Sequence, residues 1–202
     1  MRKHRQPFED HIAEERITIV SGLPRSGTSM MMQILEAGGL CPLTDKIRSA
    51  DTDNPRGYYE FERVKKLPSG DDAWLSEAQG KVVKVIATLL PYLPSTYSYS
   101  IIFMDRAIPE VLASQRKMLV NRGEDPDKIS DDALTRLFEK HLNQVNAWLN
   151  NQANLERIDI DFRGMIKNPR SSVQQINQFL GGNLEVEKMI RVVDPSLYRQ
   201  QR

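Results

Sequence analysis

The chain has 202 residues, 40% of them hydrophobic and 27% charged, which suits one hydrophobic core and one domain over 1–202, with 1–15 read as a polar N-terminal extension. Twenty-eight Lys and Arg against 27 Asp and Glu leave a net charge of +1, so no global field draws the chain to nucleic acid or an anionic membrane, and any anion site must be local. A single cysteine, Cys41, excludes an internal disulfide and suits a reducing, cytoplasmic setting; His4, His11 and His141 are too scattered for a metal site, and no run of about 18 apolar residues signals a leader or a membrane anchor.

Ile17 to Val20 is a short β-rich run; a glycine-containing turn follows, then Met30, Met31, Ile34 and Leu35 at helical spacing before Gly38-Gly39. That order predicts strand, loop, helix. Asp51, Asp53, Asn54, Pro55 and Gly57, then Pro68, Ser69 and Gly70, break up the next forty residues and predict loop and short helix over a site. Lys81 to Ile86 and Ser100 to Met104 predict buried parallel strands. Pro109 opens a helix carrying Val111, Leu112, Met118 and Leu119, and the polar stretch Asn121 to Asp132 is a mobile loop or a short ordered connector. From Leu134 to Leu149 apolar residues recur every three or four positions and predict a long helix packed on the sheet, with His141 as a core or boundary residue outside the chemistry. Leu155 to Ile160 predicts a fourth strand, and Val173, Ile176, Phe179 and Leu180 a helix closed by Gly181-Gly182. Strands alternating with helices require crossover connections, so the fold class is α/β: a three-layer α/β/α sandwich with a mostly parallel central sheet, like that of P-loop NTPases.

Gly22-Leu23-Pro24-Arg25-Ser26-Gly27-Thr28-Ser29 joins the first strand to the first helix. There successive backbone N–H groups and a helix N-terminus converge on an anion, so the segment is a phosphate cradle. Its glycines stand five apart as in the nucleotide-binding P-loop, but Thr28 occupies the place of that loop's lysine and the cation sits at Arg25. An NTPase needs that lysine on its β- and γ-phosphates, so a nucleotide kinase is the weaker alternative.

Pro24-Arg25-Ser26-Gly27-Thr28 resembles the donor loop of sulfotransferases that use 3′-phosphoadenosine 5′-phosphosulfate (PAPS), in its arginine form. The resemblance implies that Pro24, Arg25, Ser26, Gly27, Thr28 and Ser29 hold the 5′-phosphosulfate. Ile101 to Arg106, with Ser114 eight residues on, resembles the family's 3′-phosphate site; an arginine fork and a hydroxyl can converge on a phosphate that ATP lacks. Ile160 to Pro169, leading to Phe179-Leu180-Gly181, resembles the family's strand, turn and helix with an architectural role, and Asp194 to Tyr198 is similar to an ending seen in bacterial members.

By the same resemblance Arg25 stabilises the bridging and leaving-group oxygens, and Lys84 matches the lysine of the cytosolic members' Lys-Thr-His segment. Ile86 stands where their histidine base would be, so another base is needed. Members acting on peptides and carbohydrates often use a glutamate, which makes Glu60 the leading candidate, with Asp53 and Glu62 as alternatives; a surface carboxylate paired with Arg56 or Arg63 is the structural reading of Glu60. Trp74, Tyr58 and Tyr59 are candidates to line an acceptor pocket. The implied reaction moves a sulfuryl group from PAPS to a hydroxyl or amine of a small molecule, carbohydrate or peptide, leaves 3′-phosphoadenosine 5′-phosphate (PAP), and needs no metal. A protein of the same fold that binds nucleotide without turnover is the non-catalytic alternative.

Overall fold

Every residue of the first strand, β1 (Ile17–Gly22), is buried, as a central strand covered on both faces must be. The computed structural model describes residues 16–45, 47 and 57–194. In it β1 pairs with β2 (Val82–Lys84) on one side and β3 (Tyr99–Asp105) on the other, and β4 (Leu155–Asp161) completes a four-stranded sheet in the order β2-β1-β3-β4. All three pairings are parallel, with Val20 opposite both Lys84 and Ile102 and Gly22 opposite Met104. The carboxyl ends of β1, β2 and β3 therefore open on the same side, where open α/β sheets place their ligands.

Alternation along the strands sends successive side chains to opposite faces. Ile17, Ile19, Val83, Ile101 and Phe103 form one core with Trp74, Leu90, and Val145 and Leu149 of the long helix α4 (Asp131–Leu149). Val20, Val82, Ile102, Met104 and Ile160 form the other with Met31, Ile34 and Leu35 of α1 (Thr28–Ala37), Val173 and Ile176 of α6 (Pro169–Phe179), and Met189 of α7 (Val186–Val192). Helices thus cover both faces of a parallel sheet, as the alternation of strand and helix requires.

Between the strands, a 3₁₀ helix (Glu62–Ser69) and the short α2 (Leu75–Ala78) fill the segment before β2, and a second 3₁₀ helix (Ala87–Tyr92) follows it. After β3, α3 (Ile108–Asn121) starts with Pro109 in its first turn. The polar stretch after it is a short ordered connector, tied to α3 because Arg116 pairs with Asp127 and, at 3.1 Å, with Asp131. Two α-helices went unpredicted, as did the 3₁₀ helix after β2. The six-residue α5 (Phe162–Lys167) begins at Asp161, whose carboxylate accepts from Gly164 N at 2.6 Å and caps it. Helix α7 buries Met189 fully, against Gly38, which no side chain larger than hydrogen could occupy without displacing the thioether. Among the described residues no helix is long and apolar enough to cross a membrane. Of the stretch Asp194 to Tyr198 that resembles bacterial members, all but Asp194 lies outside the described residues.

Candidate active site

The turn leaving β1 is built around two glycines. A Cβ on Gly22 would stand 2.7 Å from the carbonyl oxygen of Met104, and one on Gly27, where φ is 101°, would stand 2.5 Å from the Phe162 ring. Between them Arg25 adopts φ 68°, a left-handed conformation that costs a non-glycine residue about 1–2 kcal/mol. Left-handed residues at 25 and 27 turn backbone N–H groups into a concavity of the kind that holds anions. Helix α1 then begins at Thr28 with no side chain capping its N-terminus. Ser26 lies beneath this loop: it is 1% exposed, its N–H donates to Leu23 O at 3.2 Å, and its buried Oγ has no hydrogen-bond partner.

The loop opens into a cleft of about 680 Å³. Of the residues assigned from the sequence, Pro24, Arg25, Gly27, Thr28, Ser29, Glu60, Lys84, Arg106 and Ser114 all line it, and Ser26 does not. The glycine loop and the Arg106/Ser114 motif meet at one end. Arg25 Nε donates to Ser114 Oγ at 3.1 Å, and Arg106 Nη1 donates to the Arg25 carbonyl at 2.9 Å. The Arg106 guanidinium also lies over the Phe162 ring, 4.3 Å from its centroid, and Arg106 Nε donates to Glu110 Oε2 at 3.1 Å. Stacking and bidentate donors hold an arginine in one orientation far better than a point-charge lysine can be held.

At the other end of the loop stands Lys84. Edge strand β2 carries it into the cleft with its side chain 9% exposed, and its ammonium donates to Tyr58 O and, at 3.3 Å, to Ser29 Oγ. A buried ammonium needs such partners to remain charged. Glu60 Oε1 lies 4.0 Å from that ammonium, and Glu60 Oε2 lies 4.0 Å from Lys65. The segment bearing Tyr58 and Glu60 is pinned from below: Thr44 Oγ1 donates to Glu60 O at 2.8 Å, and Glu62 N donates to Asp45 Oδ2 at 2.6 Å. Tyr59, at φ 53°, turns away and donates its hydroxyl to Glu36. Burial first, then the hydrogen bond and negative charge of Glu36, hold the Tyr59 phenol above its ordinary value, so it remains a proton donor.

Several candidate roles change on this geometry. Arg63 bonds Asp71, with Nε donating to Oδ2 at 3.0 Å, so Glu60 faces two lysines in place of Arg63. Glu62 pairs with Lys65 at 2.6 Å and does not line the cleft. Trp74 is fully buried, edge-on to Phe61 at 5.3 Å with Nε1 donating to Asp71 O, and is a core residue; of the three aromatic candidates only Tyr58 borders the cleft. His141 is half-buried on α4 at the boundary of the core. Asp53 and Arg56 lie outside the described residues. Sequence reasoning missed Glu110 and Phe162, which shape Arg106, and the apolar lining Ile86, Leu89, Leu134 and Leu137. Glu110 had one signal, its place four residues after Arg106 in the turn that Pro109 opens.

The chain matches the family model of the sulfotransferase domain over residues 15–202, and it belongs to that family. Solved structures agree on the fold. The sulfotransferase domain from the Synechococcus PCC 7002 olefin synthase matches at 14% identity with a TM-score of 0.55, covering 93% of this chain and 88% of that one. Sulfotransferase STF1 from Mycobacterium tuberculosis H37Rv matches at 16% identity and a TM-score of 0.56, covering 92% and 73%. The sulfotransferase domain from the curacin biosynthetic pathway matches at 16% identity and a TM-score of 0.52, covering 89% and 78%. No curated protein sequence matches the chain.

Proposed function

We propose that this protein transfers a sulfuryl group from PAPS to a hydroxyl of an acceptor bound in the same cleft. The observation that carries the reading is the meeting of two motifs 89 residues apart in sequence, Arg25 bonded to Ser114 and Arg106 bonded to the Arg25 carbonyl, at the mouth of an uncapped glycine loop. The residues present fit a donor with phosphates at two positions. The backbone of 25 to 29 and the hydroxyls of Thr28 and Ser29 hold the 5′ end, and Arg106 with Ser114 holds the 3′-phosphate.

PAPS supplies a sulfuryl group on a phosphate leaving group. Arg25 offsets the negative charge that collects on the oxygens at that end, and Lys84 sets a second positive charge on the acceptor side of the loop. Glu60 accepts the acceptor's proton, which explains how a site with Ile86 in place of a histidine can work; Lys84 and Lys65, each 4.0 Å away, hold its carboxylate in place. Ile86, Leu89, Phe61, Leu134 and Leu137 line the same cleft and favour an acceptor with an apolar body. With one cysteine, Cys41, exposed and unpaired, a reducing compartment such as the cytoplasm suits the chain.

Calorimetric titration with PAP, ADP and ATP, with and without magnesium, tests the donor assignment. The expected result is metal-independent binding with PAP preferred, and a loss of about 30- to 100-fold in PAP affinity on Arg106→Ala. Preference for ATP with magnesium would move the chain to the kinase reading. PAP binding with no transfer to any acceptor would favour a non-catalytic role.

A further inference from the structure

Glu110 is a buried carboxylate for which the proposed reaction has no use. It sits in the first turn of α3 with its side chain 5% exposed, and its two oxygens have different partners: Oε2 accepts from Arg106 Nε at 3.1 Å, and Oε1 accepts from Arg163 Nη2 at 2.8 Å. Taken alone, Arg106 and Glu110 form a neutral pair. A neutral pair is a weaker receptor for a phosphate than a lone guanidinium, because the carboxylate behind it repels the incoming anion and offsets part of the attraction. A buried carboxylate is screened little by salt, so the repulsion persists in physiological buffer.

Arg163 alters that balance. It reaches Glu110 from α5, on the other oxygen of the carboxylate from Arg106, with its own side chain 48% exposed. The cleft lining includes Arg106 and not Arg163. The three side chains together carry a charge of +1, and the only one of them that borders the cleft is Arg106.

We propose that Arg163 is a positioning residue for recognition of the 3′-phosphate. By neutralising Glu110 it lets that carboxylate orient the Arg106 guanidinium without cancelling its charge toward the nucleotide. The inference rests on the donor assignment made above, and it gives Arg163 a role exerted through Glu110 and Arg106, without contact with the ligand.

The test is calorimetric titration of the full chain with PAP and with ADP, which lacks the 3′-phosphate, at low ionic strength. The proteins compared are wild type, Arg163→Ala, Arg163→Lys, Glu110→Gln and the double variant Arg163→Ala/Glu110→Gln. Arg163→Ala is expected to weaken PAP roughly tenfold and ADP less than about twofold, since the uncovered carboxylate acts on the extra phosphate. Arg163→Lys keeps the charge and stays within about threefold of wild type for PAP. The double variant, in which Glu110→Gln replaces a charged acceptor with a neutral one, recovers most of what Arg163→Ala lost, a non-additivity that a merely structural role would not produce. Equal weakening of PAP and ADP, or a double variant no better than Arg163→Ala, overturns the proposal. A wild type that binds PAP no better than ADP overturns the donor assignment itself, and that is visible before any variant is compared.

Discussion

The two ends of the cleft are built on different principles. The donor end is backbone and cation: a strand-to-helix turn shaped by Gly22 and Gly27, an uncapped helix terminus, and Arg106 locked between Phe162, Glu110 and the Arg25 carbonyl. The acceptor end is side chains on a pinned segment, Lys84 and Glu60, in one cleft with the apolar residues Ile86, Leu89, Leu134 and Leu137, of which Ile86 is 38% and Leu137 42% exposed. A phosphate presents the same oxygens whatever is attached to it, so the first end can be rigid and stereotyped. The second end must match one acceptor among many, and its residues come from separate elements with no shared motif.

Substitutions that separate the two ends should therefore separate binding from turnover. The largest effect belongs to Gly27→Ala. A methyl there would lie 2.5 Å from the Phe162 ring at φ 101°, displacing the platform under Arg106; we expect PAP affinity to fall by more than about 100-fold and urea unfolding to show a loss of about 1–3 kcal/mol. Next comes Glu60→Gln, which keeps the shape and removes the base. Turnover measured as PAP release in the presence of a hydroxyl acceptor should drop about 100-fold while the Kd for PAP moves less than about threefold. An equal loss in both would place Glu60 at the donor end and erase the division. Leu137→Ala, in the apolar lining, should raise the acceptor KM by about three- to tenfold and leave PAP binding unchanged.

The smallest effect is one of stability. Arg63, first by its hydrogen bond and then by its charge, holds the Asp71 carboxyl below its ordinary value of 3.8 in the folded chain. A group whose folded value is lowered stabilises the fold above its unfolded value, and that contribution is lost as pH falls through the folded one. The difference in unfolding midpoint between wild type and Asp71→Asn should accordingly be present at neutral pH and shrink as the medium is taken below 3.8. A difference that grows on acidification would contradict the pairing.

The division also explains what the sequence made legible. The loop from Gly22 to Ser29 and the pair Arg106 and Ser114 can be read from the chain because each is a local device whose spacing follows from a strand end and a helix start. The strands and the long helix α4 are legible for the same reason, since their periodicity is written in consecutive residues. The contact of Arg25 with Ser114 depends on β1 and β3 lying side by side, which strand alternation suggests without fixing which side chains touch. Trp74 shows the opposite failure: an aromatic residue near the acceptor segment reads as a pocket wall, and burial against Phe61 makes it core. Arg163 lies in a stretch that resembles the family's architectural turn, and its pairing with Glu110 links α5 to α3 through two side chains 53 residues apart, which no periodicity announces.

The most direct test of the central claim is a crystal structure of the complex with PAP, measuring where its two ends lie. The account predicts the 5′-phosphate on the backbone N–H groups at the start of α1 and the 3′-phosphate within hydrogen-bond distance of Arg106 and Ser114. A nucleotide seated with its 3′-phosphate turned to solvent, or bound outside the loop from Gly22 to Ser29, would contradict it.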